Sequence, residues 1–218
     1  LLLHFLWDIV KFFRRIMRSE EVLVVARENI APYLKACRKG LISSPETVAE
    51  ILEIIYRDAF FMERSAAEND ACCKQIIPYV TLCCNDRLLM IRRKRKQTEQ
   101  RLHDLYSIGQ GGHINPLSGA RGASLIRAEL ERELMEEVAL APGEYSLSVR
   151  GIINDDENDV GSVHLGLWYV ADTNADRFRT NEPDKIEGAW TPRREVLAHY
   201  DTLETWSQIA ADSLLREE

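Results

Sequence analysis

Gly111-Gly112-His113-Ile114-Asn115-Pro116 and, one loop later, Arg127-Ala128-Glu129-Leu130-Glu131-Arg132-Glu133-Leu134-Met135-Glu136-Glu137-Val138-Ala139-Leu140 carry the strongest pattern in this chain. On a helix, Glu129, Glu133 and Glu137 stack at successive i,i+4 positions and Glu136 lies three residues from Glu133. Like charges so placed repel by about 0.2–0.5 kcal/mol per pair, so a helix without a task would mix signs along that face. A divalent cation reverses the sign of the interaction, and carboxylate oxygens are the ligands that Mg²⁺ and Mn²⁺ prefer. The glycines before the helix let the backbone bend sharply and approach a metal or a phosphate closely. Helix and bend together predict a site.

Working outward, Gln75 to Cys84 and Arg87 to Arg92 are apolar runs joined by Asn85-Asp86, a hairpin signal. Leu105 to Ile108 reads as a third strand that ends in Gly109, Gly111 and Gly112. The glutamate helix spans roughly Ala123 to Val138. Ser146 to Ile153 and Val163 to Val170 are strands that flank the acidic turn Asn154 to Asp159. A short strand around Ile186 to Trp190 precedes helical stretches at about Arg194 to His199 and Leu203 to Leu215. Upstream, Glu21 to Ala26 is a strand, and Ser44-Pro45-Glu46 starts a helix with a serine cap, proline in the first turn and an acid at the positive end of the dipole. Its apolar spacing carries that helix through Phe60 and Phe61 to about Arg64. The result is an α+β chain, a mixed sheet layered with helices.

With 218 residues the chain can bury one core plus a smaller appendage. Three parts are expected: 1–17, an apolar extension; 18–73, a strand and helical segment packing on the core; and 74–218, the main domain. Leu1 to Met17 is broken by His4, Asp8 and Lys11. It therefore reads as no transmembrane segment and no secretory signal, but as an upstream extension, a packing helix or an interfacial membrane helix. The formal charge of −7 argues against a nucleic acid polymer as partner. Five cysteines, two pairs of them adjacent, match neither a disulfide framework nor a paired zinc motif, which favours reduced thiols and a cytoplasmic protein. The basic run Arg92 to Lys96 is a solvated hairpin end or a steering patch for anions.

The glutamate run resembles the Nudix hydrolases. Their box reads glycine, five residues, glutamate, seven residues, then Arg-Glu-apolar-any-Glu-Glu-any-Gly-apolar. Arg132-Glu133-Leu134-Met135-Glu136-Glu137 matches the second half at every specified position. The first half departs: Gly112 and Arg132 are 20 positions apart, six more than in the box, with the insertion around Leu117 to Gly122. The first glutamate is replaced by Ser118 counted forward or Ser124 counted back, and Ala139 stands where the last glycine belongs. These departures resemble a Nudix branch of predicted phosphoesterases. The features shared with that branch are Lys74 to Tyr79, Tyr106 to Asn115, Ile153 to Asp156 and Val160 to Gly166.

The resemblance implies a Nudix-like α/β/α sandwich with an N-terminal helical extension. It implies a phosphoanhydride hydrolase that uses Mg²⁺ or Mn²⁺ to split a diphosphate linkage in a nucleoside diphosphate-linked or similar phosphorylated small molecule. Carried over by position, Glu133, Glu136 and Glu137 hold metal, with the Gly111 carbonyl as a further ligand. Arg132 orients the glutamates by charge-assisted hydrogen bonds. Gly112, His113, Arg101, Asp155 and Asp156 are expected at the substrate. Glu133, or a carboxylate of the Asp155 to Glu157 turn, is the expected base. Homodimers are common in the family. Two alternatives stay open: a Nudix-fold module that senses such a molecule without cleaving it, and isomerisation of an isoprenoid diphosphate on the same fold. Sensors commonly lose the helix glutamates, which this chain keeps.

Overall fold

A computed structural model describes residues 20–93, 105–175, 178–180 and 186–215. The extension 1–17 lies outside the described residues. So do Arg101 and most of the basic run that begins at Arg92. Among the described residues, one mixed sheet is formed by β1 (Glu21–Ala26), β2 (Lys39–Ile42), β3 (Phe60–Glu63), β4 (Cys73–Cys84), β5 (Arg87–Arg93), β6 (Tyr106–Ser107), β7 (Gly109–Gly111), β8 (Tyr145–Asp155), β9 (His164–Thr173) and β10 (Ile186–Pro192). Its main path runs β10-β5-β4-β9-β8-β2, with β1 and β7 also paired to β4, β3 to β1 and β6 to β5. The β4–β9 pair is parallel and the other pairs are antiparallel.

β4 is buried along its whole length, which is why its sequence is a continuous apolar run rather than an alternation. Its even positions Ile76, Val80 and Leu82 enter one core. That core also takes in Ile30 and Leu34 of α1 (Arg27–Ala36), Ile51 and Ile55 of α2 (Pro45–Asp58), and Leu125, Ile126, Leu130 and Leu134 of α4 (Gly122–Glu137). Its odd positions Tyr79 and Cys83 enter a second core with Trp168, Val196 of α6 (Arg193–Ala198), and Ala210, Ala211 and Leu214 of α7 (Thr205–Leu215). Helices therefore cover both faces, the α/β/α layering expected. The short α3 (Arg64–Ala67) and α5 (Asp159–Ser162) complete the chain. Residues 20–73 share the sheet and the first core with the rest.

The local signals act as their chemistry requires. Asn85 takes φ 54 at the β4–β5 turn, a left-handed conformation that asparagine tolerates. Ser44 caps α2, its Oγ accepting from the Thr47 N–H at 3.4 Å. One expectation fails: α2 ends at Asp58 rather than near Arg64, and Phe60 and Phe61 lie in β3 opposite Val24 and Leu23. The apolar spacing suits either structure, and pairing with β1 decides it. The acidic stretch is also more than a turn: β8 runs to Asp155, and Asn158 caps α5 by accepting from the Gly161 N–H at 2.7 Å.

Candidate active site

The glycine bend reaches α4 because β7 pairs with β4, Gly111 standing opposite Tyr79. Gly112 then lies against Glu133 so closely that a Cβ there would sit 2.6 Å from Glu133 Oε1. Any side chain at position 112 would displace the carboxylate. The strand is held from the other face by a buried polar network. Tyr79 Oη donates to Glu204 Oε1 at 2.6 Å, and Ser207 Oγ accepts from the Ile108 N–H at 2.8 Å and donates to the same Glu204 oxygen at 2.6 Å. Burial, followed by the Glu204 charge, pushes the Tyr79 hydroxyl pKa up and keeps it a donor.

In the first turn of α4, Ser124 Oγ donates to the Arg121 carbonyl at 2.8 Å and accepts the Arg121 N–H at 3.2 Å. Ser124, the position reached by counting back from Arg132 to the box's first glutamate, closes the loop–helix junction. At the end of the helix the Val138 and Leu140 N–H groups both donate to the Leu134 carbonyl, at 3.1 and 3.3 Å. Ala139, at the position of the box's last glycine, adopts φ 53.

Arg132 gathers the acids. Its Nη2 meets Glu133 Oε1 at 2.6 Å, its Nη1 meets Glu136 Oε2 at 2.7 Å, and its Nε donates to Glu129 Oε2 at 3.0 Å. Each contact engages one carboxylate oxygen, so Glu133 Oε2 and Glu136 Oε1 lie outside them. Glu129 and Glu137 are buried, and Glu136 is exposed. Burial raises the Glu133 carboxyl above its ordinary pKa; Arg132 opposes the shift and Glu136 adds to it. Among the described residues, no three His, Cys, Asp or Glu side chains are gathered closely enough to hold an ion. The donor set nonetheless fits a hard divalent cation: carboxylates beside a glycine cradle that a Cβ would fill.

His113 follows the bend and meets His164 at the start of β9, with Nε2 atoms 3.4 Å apart. Burial, then the Arg64 and His164 charges, lowers the His113 pKa to about 4. Asp155 and Asp156 lie in a different cluster. Asp155 accepts from the Asn158 side chain at 2.6 Å and from the Glu157 N–H at 3.1 Å. Asp156 accepts from Lys74 Nζ at 2.7 Å and from Arg27. Lys74, fully buried, also donates to Asn154 Oδ1, the Gly161 carbonyl and the His164 carbonyl. The sequence reading named Lys74, Gln75, Tyr79 and Gln110 only as parts of motifs shared with the phosphoesterase branch and gave them no structural role, and it did not single out Glu204. Of these only Glu204, an acid just before a helix start, left a local signal.

No protein-family model matches the chain. Over 204 residues it is 34% identical to Protein YmaB of Bacillus subtilis (strain 168), covering 90% of this chain and 98% of that protein. The crystal structure of Tm1382, a candidate Nudix hydrolase, matches with a TM-score of 0.72 and 32% identity, over 90% of this chain and 98% of the other. The chain belongs to the Nudix hydrolase superfamily. The stretch that resembles the second half of the Nudix box lies on α4, and the glycine bend at Gly111-Gly112 packs against it. No helix among the described residues is long and apolar enough to cross a membrane.

Proposed function

We propose that this chain hydrolyses a diphosphate linkage in a nucleoside diphosphate-linked or similar phosphorylated small molecule, in a metal-dependent reaction on α4. It is a Nudix-type pyrophosphohydrolase, and the observation that carries the finer reading is Glu133 seated against Gly112 with Arg132 bridging Glu129, Glu133 and Glu136. Glu133, Glu136, Glu137 and the Gly111 carbonyl would hold Mg²⁺ or Mn²⁺, which when bound lowers the pKa of water and offsets charge on the phosphate oxygens.

The remaining work falls to the protein. Arg132 holds Glu133 and Glu136 at fixed spacing through charged hydrogen bonds. Glu133 Oε2, outside the Arg132 contacts and on a carboxyl raised by burial, takes the proton of the attacking water. Gly112 keeps the backbone close to that carboxylate, and His113 flanks the substrate beside it. We assign Asp155 and Asp156 to holding the β8–α5 loop, because their oxygens are already engaged by Asn158, Lys74 and Arg27. The test is a phosphate-release screen over nucleoside diphosphate derivatives with Mg²⁺ or Mn²⁺, run beside Glu136→Gln and Glu137→Gln. Turnover by the wild type and its loss in both variants is expected; equal turnover in all three would remove the metal assignment.

A further inference from the structure

The histidine pair has a geometry of its own. Nε2 of His113 and Nε2 of His164 face each other at 3.4 Å. At that distance a direct hydrogen bond between the ring nitrogens is long and weak. A tetrahedral ion with metal–nitrogen bonds of about 2.0–2.1 Å holds two nitrogens about 3.3–3.4 Å apart. An octahedral ion with bonds of that length needs them about 3.0 Å apart. The observed spacing is within the span of two nitrogens sharing one ion, and imidazole donors favour zinc-class metals over Mg²⁺.

A second observation fixes the donor atom. His164 Nδ1 lies 2.7 Å from the Val160 carbonyl, an acceptor only, so Nδ1 carries the proton and the neutral ring presents its lone pair at Nε2. That backbone anchor is the support that metal-bound histidines regularly have. A third observation lies on the neighbouring strand. Gln75 stands opposite His164 in the parallel β4–β9 register, which puts both side chains on one sheet face. The Gln75 side chain is fully buried, and neither its Oε1 nor its Nε2 has a hydrogen-bond partner among the described residues. A buried amide left so is costly unless something fills the space it faces. Arg64, the nearby cation, is paired with Glu20 at 3.0 Å and Glu68 at 2.9 Å, which blunts its repulsion of a metal.

We propose that His113 and His164 bind a tetrahedral divalent transition-metal ion of the zinc class, with the Gln75 amide as third donor, directly or through a metal-bound water. Its donors are ring nitrogens rather than the carboxylates of α4, so it takes a softer ion. Three protein donors would leave a fourth position for water or another ligand.

The test uses the full chain, freed of metal and kept in excess Mg²⁺ so that oxygen-ligand sites are filled. Zn²⁺ is titrated by calorimetry, and Co²⁺ alone is added as an optical stand-in. One equivalent should bind, and cobalt should show the intense visible bands of a four-coordinate ion. His113→Ala and His164→Ala should each weaken Zn²⁺ binding at least ten-fold, Gln75→Leu several-fold, and Glu136→Gln not at all. Circular dichroism establishes that each variant is folded, with His113→Gln replacing an alanine variant that is not. Faint six-coordinate bands would overturn the proposal. So would zinc binding that survives in both histidine variants, as it would if cysteines held the ion, or binding that disappears in Glu136→Gln. Mg²⁺-dependent phosphate release by the wild type, measured without zinc, reads the hydrolase assignment independently.

Discussion

The two acidic clusters that stand out in the sequence are neutralised in opposite ways. Around Glu133, the acids share Arg132, a side chain still 39% exposed, through one oxygen each, and Glu133 keeps a raised pKa. Around Asp156, the compensating Lys74 is fully enclosed and has four acceptors, and Arg27 adds a further donor. There burial favours the neutral carboxyl, yet hydrogen bonds from Lys74 and Arg27 hold Asp156 below its ordinary pKa. A carboxylate with its charge fully answered stabilises the loop it sits in. One whose charge is partly answered, at the edge of solvent, remains available to an ion or a proton. The first cluster should therefore govern turnover and the second stability.

The largest expected effect is on the first cluster: Glu133→Gln should lower kcat about 10²–10⁴-fold, with little change in the urea midpoint. Lys74→Met should do the reverse, leaving Asp156 and three neutral acceptors without their cation. We expect a loss of about 3–5 kcal/mol in denaturant unfolding, with the folded fraction still turning over. Gly112→Ala sits between the two, since its Cβ would press on Glu133. An activity loss of about 10–100-fold is expected, of the size seen when a ligand's support is removed. Acidification should separate the clusters again. Asp156 has a depressed pKa in the folded state, so its stabilisation is complete above the unfolded carboxylate pKa and fades as pH falls through the folded value. The wild type should lose more stability on acidification than Asp156→Asn, as read from urea midpoints across that range.

The smallest effect concerns a departure from the family's box. Ala139 takes a left-handed conformation that glycine adopts freely, so Ala139→Gly should stabilise the fold by about 1 kcal/mol, seen as a rise in Tm.

Much of this was legible in the chain. The Asn85-Asp86 hairpin, the serine cap of α2 and the span of α4 follow from local chemistry, and each formed as read. The end of α2 was not legible, because Phe60 and Phe61 fit a helix face and a strand equally, and β1 makes the choice. The glutamate helix announced itself by like charges at helical spacing. What escaped were partners distant in sequence: Lys74 for Asp156, Glu204 for Tyr79, and Gln75 beside His164. Nothing local marks a lysine or a glutamine inside an apolar strand as the centre of a network. Only the sheet register brings them to their partners.

Manganese binding followed by electron paramagnetic resonance tests the central claim most directly. Wild-type protein is compared with Glu133→Gln, Glu136→Gln and Glu137→Gln, each confirmed as folded. The account predicts that Mn²⁺ binds the wild type and that each variant weakens binding about 10-fold or more. Equal affinity across all four proteins would contradict it.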